Sequence, residues 1–255
     1  MTIPASFKNF RDMGGLKCPD GKMIRQGMLF RTPKLYASND DEKCFIASVS
    51  PDIIIDFRCE EERSEKPDFV PDGCRYIHAP VFDGKRFKHI IVTRKASLED
   101  IFLRGKRMTE LKQHKLDSYA FMPLSSSYNV LFDAMDKGYR IAFHCTEGKD
   151  RTGIAAALIE YVFGRSEEEI LSQYMLSNEL RPPKDRSWLK YIGTPECLLK
   201  DIRFCESVHE ELFYIAKKSV LDSYGDFDTY LKKCFSITDD RIRLWKSYYL
   251  EDSVI

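Results

Sequence analysis

A cysteine followed six positions later by an arginine, with a lysine and an aspartate between them, can attack phosphorus. His144-Cys145-Thr146-Glu147-Gly148-Lys149-Asp150-Arg151-Thr152-Gly153 has that spacing, between an apolar run (Ile141–Phe143) and a second apolar run from Ile154. A strand that turns directly into a helix points several backbone N–H groups at one spot, and the helix dipole adds partial positive charge there. Such a turn binds anions. A free thiol of pKa about 8.5 is only a few per cent thiolate at neutral pH, but a helix N-terminus and nearby cations lower it into the range of roughly 3.5–7.5. Cys145 is therefore the expected nucleophile. Thr152 is placed to donate its hydroxyl to the thiolate, and His144 to orient the loop by hydrogen bonding rather than to act as a base. Arg151 offers a planar fork for two phosphate oxygens, most useful as charge spreads over them in the transition state. Lys149 adds a point charge, and Thr146, Glu147 and Gly148 complete the wrap around the substrate phosphate.

The reaction also needs an acid for the leaving oxygen and a base for the water that follows. Asp150 is the expected acid. The chain holds no Trp-Pro-Asp triplet, which leaves Asp56 as the main rival, with Arg58 nearby to hold it or to contact substrate. The loop as a whole predicts hydrolysis of a phosphate monoester through a phosphocysteine. Two other classes fit a cysteine in such a loop: a module that binds phosphate without turnover, and a sulfurtransferase carrying a persulfide on Cys145. Intact Cys145, Asp150 and Arg151 speak against the first, and Asp150 and Thr152 have no task in the second.

The elements that must hold this loop are legible upstream. Met23–Thr32 reads as one strand, Asn39-Asp40-Asp41 opens a helix, and Ile53-Ile54-Ile55 reads as a parallel strand covered on both faces. Cys74–Val81 is a third strand. Apolar residues at helical spacing predict a helix over 127–137 ended by Gly138, and Tyr139–His144 is the strand that leads into Cys145. Beyond it, residues 153–163 read as a helix stopped by Gly164, Ser166 and Glu169 form a capping box, and Pro182-Pro183 breaks the helix that follows. Three or four helices are expected over 195–250, one of them opened by Thr238. The fold class is α/β, a mostly parallel sheet flanked by helices, in a single domain over 1–255 with a helical part from 165 to the end.

Forty basic residues balance forty acidic ones, so no net field steers the molecule to nucleic acid. The exception is Gly84–Lys115, with ten Lys or Arg against three Asp or Glu, a local excess of 10 − 3 = +7. Within an insertion over 84–122 this is either a solvated helical face or a basic lid over a site for an anionic substrate. Eight cysteines lack C-x-x-C spacing; all except Cys145 are expected to be buried thiols of a reducing cytosol, with no metal or organic cofactor. The start Met1-Thr2-Ile3 lacks the pattern of a signal peptide. Cytoplasmic residence is the expectation, with secretion left open because a leader could have been removed.

At these residues the chain resembles the protein tyrosine phosphatase superfamily, and within it the bacterial atypical tyrosine phosphatases that also act on phosphoinositides. Asn9–Gly15 resembles that family's N-terminal signature and Leu29–Thr32 its next strand. Asp56-Phe57-Arg58 with Glu61 resembles its Asp-x-Arg segment, while Tyr174–Asn178 and Tyr224–Leu231 resemble its C-terminal helices. The resemblance implies nucleophile, phosphate-binding and acid roles for Cys145, Lys149 with Arg151, and Asp150, together with a helical lid. It also implies phosphorylated proteins or phosphoinositides as substrates, with peripheral contact to anionic lipid. Arg11 and Asp12 are expected beside the site, in support of it. Glu147 departs from the family, where a small residue is expected, and must turn outward to a Lys or Arg if it is not to repel phosphate.

Overall fold

Three consecutive isoleucines suit a strand that buries both faces. In the computed structural model, which describes residues 2–19, 21–82 and 105–253, they lie on one interior strand of a five-stranded sheet. In chain order the elements are β1 (Arg11–Asp12), β2 (Lys17–Cys18), β3 (Lys22–Ile24), β4 (Leu29–Thr32), α1 (Asp40–Val49), β5 (Ile53–Asp56), α2 (Glu60–Glu65) and β6 (Arg75–His78). Then come α3 (Gly105–Phe121), α4 (Asn129–Met135), β7 (Ile141–His144), α5 (Arg151–Val162), α6 (Glu167–Met175) and α7 (Ser177–Leu180). The chain continues through α8 (Glu196–Glu206), α9 (Glu210–Tyr224), α10 (Phe227–Phe235), α11 (Asp239–Tyr249) and β8 (Leu250–Asp252).

The main sheet has the order β1-β4-β7-β5-β6, parallel except for the edge strand β1. Ile54 faces a small core with Phe7, Phe45 and Ile46 of the α1 side. Ile53 and Ile55 face the large core, which also takes Phe143, Ile159 and Trp245. The alternation explains why the run is apolar throughout: each face has its own cover. β7 lies between β4 and β5, so the residue after its last position, Cys145, emerges at the middle of the sheet's C-terminal edge. This is where open α/β sheets form their binding crevices.

Most expected elements are present. Asn39 Oδ1 accepts from the Glu42 N–H, Ser166 and Glu169 close their capping box, and Thr238 caps α11. Met23–Thr32 is not one strand. It is split between two sheets, β3 pairing with β2 and β8 while β4 joins the main sheet, because Gly27 turns the chain at φ 77°. The expectation of buried thiols also fails: Cys44 and Cys197 are exposed, Cys18, Cys74, Cys205 and Cys234 are half-buried, and Cys59 alone joins Cys145 in the interior. All eight are free. Four helices occupy 195–249, followed by β8, a strand with no clear sequence signal. Most of the basic 84–122 segment lies outside the described residues; its described part is α3 and the turn that follows. Among the described residues, no helix is long and apolar enough to cross a membrane.

Candidate active site

The loop from Cys145 to Asp150 joins β7 to α5, and its shape is imposed from outside. The Thr146 carbonyl accepts from the Lys34 N–H at 3.3 Å. The Asn9 side-chain amide donates to the carbonyls of Glu147 and Gly148 at 3.0 and 2.9 Å, and buried Arg31 donates to Gly148 O at 3.1 Å. Three successive carbonyls thus face away from the centre of the loop. In a planar trans peptide the following N–H points the opposite way, so the amides of Glu147, Gly148 and Lys149 turn inward, where an anion would sit. Gly148 is obligatory: its φ is +67°, and a Cβ there would lie 2.5 Å from the Thr32 carbonyl oxygen.

Cys145 is buried at the base of this cup. Burial alone would raise its thiol, but the Arg151 charge and the Thr152 hydroxyl and N–H outweigh it, and the pKa falls below the ordinary thiol value. Thr152 Oγ1 is buried and makes no aligned hydrogen bond, which leaves its hydroxyl available to the nearby sulfur. Arg151 is held by Glu62 of α2, its two terminal nitrogens donating to the two carboxylate oxygens at 2.6 and 2.9 Å. It also donates to Phe57 O at 3.3 Å and, weakly, to Thr146 Oγ1 at 3.4 Å. Of the guanidinium's five N–H groups this leaves the Nε side for an incoming oxyanion. The Thr146 hydroxyl donates to Glu62 as well. Glu62, and not the exposed Glu61, is therefore the acidic residue of this segment that serves the loop.

Asp150 precedes the first residue of α5 and accepts a hydrogen bond from the hydroxyl of fully buried Tyr119 at 2.7 Å. Tyr174 donates to Tyr119 in turn, at 2.8 Å. Lys115 Nζ lies 3.5 Å from the same Asp150 oxygen and donates to the carbonyls of Phe204, Cys205 and Ser207 at the end of α8. Lys149 donates to the Glu206 carbonyl and lies 3.0 Å from Glu147. Glu147 also pairs with Arg181 at 3.2 Å, so the unusual carboxylate turns to cations in the way its position demands.

The remaining expected residues fall elsewhere. Asp56 and Arg58 have no solvent-exposed side-chain surface and are bound to each other, Arg58 donating to Asp56 through Nε and a terminal nitrogen at 2.9 and 2.8 Å. Arg58 also reaches Asp68 at 2.6 Å, and Tyr76 donates to Asp56 at 2.7 Å. Burial would raise Asp56, yet His144, Arg58 and Tyr76 hold it well below the usual carboxylate range. A sealed carboxylate of that kind is poorly suited to give up a proton to a leaving group, and a sealed Arg58 to contact substrate. His144 belongs to this cluster, with Nε2 3.3 Å from Asp68 as a charge contact and not an aligned hydrogen bond. Burial opposes its charge, but Asp68 and Asp56 raise the imidazole to about 9. Asp56, Asp68 and His144 could together offer three metal ligands, but the Arg58 guanidinium already donates to both carboxylates.

Arg11 binds the Gln173 carbonyl, Asn9 Oδ1 and Ser177 Oγ, and so supports the Asn9 clamp. Asp12 does not face the loop: it accepts from the N–H groups of Gly14 and Gly27 and ties an exposed turn. Sequence reasoning missed Glu62, Tyr119, Asn9 as a clamp, Arg31 and Asp68. The capping position of Glu62 gave one usable signal; apart from Asp68, which meets Arg58 ten positions away, the others act across 30 or more residues of sequence.

A family model described as "Tyrosine phosphatase family" matches residues 4–251. A putative tyrosine-protein phosphatase of Cupriavidus necator is 24% identical over 245 residues, covering 93% of this chain and 85% of the relative. A tyrosine-protein phosphatase of Nostoc commune is 28% identical over 151 residues, or 58% of this chain and 47% of its own. A "triple specificity protein phosphatase" of Mycobacterium tuberculosis, PtpB, is 21% identical over 252 residues, covering 88% of this chain and 90% of PtpB.

Proposed function

This chain belongs to the tyrosine phosphatase family, and from that premise we propose that it hydrolyses phosphotyrosine and phosphoinositide monoesters through a phosphocysteine on Cys145. The observation that carries the reading is the buried, acidified Cys145 thiol at the base of a loop whose amides face inward. The thiolate attacks phosphorus; the phosphorus–oxygen bond to the substrate breaks as the S–P bond forms. Asp150 gives its proton to the departing oxygen. Water then attacks the phosphocysteine, Asp150 takes a proton from it, and Cys145 leaves as thiolate with inorganic phosphate as product.

Arg151 presents its Nε–H to the transferring group while Glu62 holds both terminal nitrogens and fixes the guanidinium plane, so that little reorganisation is needed as charge develops. Tyr119 is a positioning residue: its hydroxyl holds one oxygen of Asp150 and fixes the orientation of the carboxyl. Lys149 supplies positive charge at the mouth. Activity on lipids is supported by the excess of cations over 84–115, which would favour contact with anionic lipid.

The test is phosphate release from a phosphotyrosine peptide, a phosphoserine peptide and soluble phosphoinositides, with and without EDTA, for wild type and Cys145→Ser. EDTA-resistant release that disappears in the variant is expected, with phosphotyrosine and phosphoinositides ahead of phosphoserine. Release that survives in the variant would remove Cys145 as nucleophile. Sulfur transfer from thiosulfate to cyanide without phosphate release would favour the persulfide chemistry instead.

A further inference from the structure

A second concave site is linked to the phosphate loop through Glu206 and is not used by the reaction as derived. It is a cavity of about 220 Å³ formed by residues 183–187, Lys190 and one side of α8. Its charged lining comprises Lys184, Arg186, Lys190 and Arg203 against Asp185 and Glu206. Both carboxylates are already engaged. Asp185 accepts from the Ser187 N–H at 2.9 Å, and Glu206 accepts twice from Arg186, at 3.0 and 2.7 Å. Lys190 has only a loose contact with Glu196, 3.7 Å away. Among the described residues, Lys184 and Arg203 have no carboxylate within ion-pair distance, so the cavity retains uncompensated positive charge.

Glu206 joins this cavity to the active site. Its carbonyl accepts from Lys149 of the phosphate loop, while its carboxylate lines the cavity. The path from the loop to the cationic cavity therefore runs through the Lys149 side chain and Glu206. The cavity is smaller than the sites that take drug-sized ligands and its walls are polar, which suits a phosphate group and not an aryl ring. We propose that it binds a second phosphate carried on the same inositol headgroup as the scissile one, so that multiply phosphorylated phosphoinositides are preferred to monophosphates. This rests on the phosphatase reading above. A rigid ring holds its phosphates close together, as two adjacent anion sites require; two phosphorylated side chains on a peptide are separated by longer, flexible arms.

The experiment compares kcat/KM for dioctanoyl phosphatidylinositol monophosphate and bisphosphate, with singly and doubly phosphorylated peptides alongside, in wild type and in Lys184→Gln/Arg203→Gln. Both positions are exposed, and the urea midpoint of the variant checks that it folds; a variant that unfolds is replaced by either single substitution. In the variant the bisphosphate-to-monophosphate ratio is expected to fall about tenfold, chiefly through KM, as the loss of a charge-assisted contact implies. An unaltered ratio, or an equal loss on both lipids, overturns the proposal. A ratio effect confined to the peptides overturns the headgroup assignment, as does cleavage of phosphotyrosine with no cleavage of any phosphoinositide. Absence of phosphate release from every substrate would instead sink the phosphatase reading on which the proposal stands.

Discussion

Behind the phosphate loop, Asp56, Arg58, Asp68 and His144 are shut away from solvent and satisfy one another. At its mouth, Glu147 and Arg181 are partly exposed, Lys149 and Lys115 lean on carbonyls at the end of α8, and Asp150 leans on Lys115 and Tyr119 of α3. The rear charges project from strand ends and the loops beside them, fixed by the register of β5 and β7. Among the front charges Glu147, Lys149 and Asp150 sit on the loop itself, Lys115 comes from α3 and Arg181 follows α7; Glu147 and Arg181 are the ones that reach solvent. Ion pairs buried without water are costly to break, whereas those near solvent are individually weak. The rear therefore holds the geometry of a reaction, and at the front it is the outer pair Glu147 and Arg181 that can differ without changing it.

The contrast would be sharpened most by Cys145→Ser, which should lower phosphate release by at least about 10⁴-fold, as loss of a nucleophile does, while inorganic phosphate still binds by calorimetry. Next, Arg58→Met should leave two buried carboxylates unpaired and destabilise the fold by about 3–5 kcal/mol in urea titration. If that variant is as stable as wild type but inactive, the rear cluster takes part in chemistry and the contrast breaks. Glu62→Gln should lower kcat roughly 10²-fold at near-wild-type stability, because Arg151 is no longer held in position; a loss seen in KM alone would place Glu62 on the substrate side. Tyr119→Phe should cost on the order of tenfold with poor leaving groups and less with good ones, since it disturbs an acid and not the nucleophile. Equal loss on both would make Tyr119 a packing residue.

The smallest effect is one of pH. His144 is raised from 6.5 to about 9 in the folded state, so its contribution to stability is complete below pH 6.5 and is lost as pH rises through about 9. Asp56 is depressed and contributes above its unfolded value, losing that only as the solution becomes strongly acidic. The urea midpoint should fall between pH 6.5 and pH 9.5, and fall less in Asp68→Asn. No difference between the two proteins would mean that the imidazole is neutral.

The loop and the sheet that carries it were legible because each has a local signature: an apolar run, a glycine at a forced turn, a capping residue at the helix start. Asp56 misled for a related reason. Its place at a strand end is where catalytic carboxylates occur, but Arg58 two positions on folds back over it, and one dimension does not show which way the pair points. Met23–Thr32 misled because β propensity continues through Gly27 while the backbone does not. Tyr119 carries no mark of function in the chain and Glu62 only its capping position: a tyrosine on an amphipathic helix and a glutamate in a helix's first turn are ordinary until the fold brings Asp150 and Arg151 against them.

Asn9 sits at φ 77° and closes on carbonyls 138 and 139 positions downstream. During synthesis the clamp leaves the ribosome long before the loop it will grip, and it has nothing to hold until β7 is in place. The loop in turn cannot be transplanted as a peptide, because half of its curvature belongs to a distant part of the chain. A graft of residues 144–153 onto another strand–helix turn would carry the nucleophile but not the shape that makes it one.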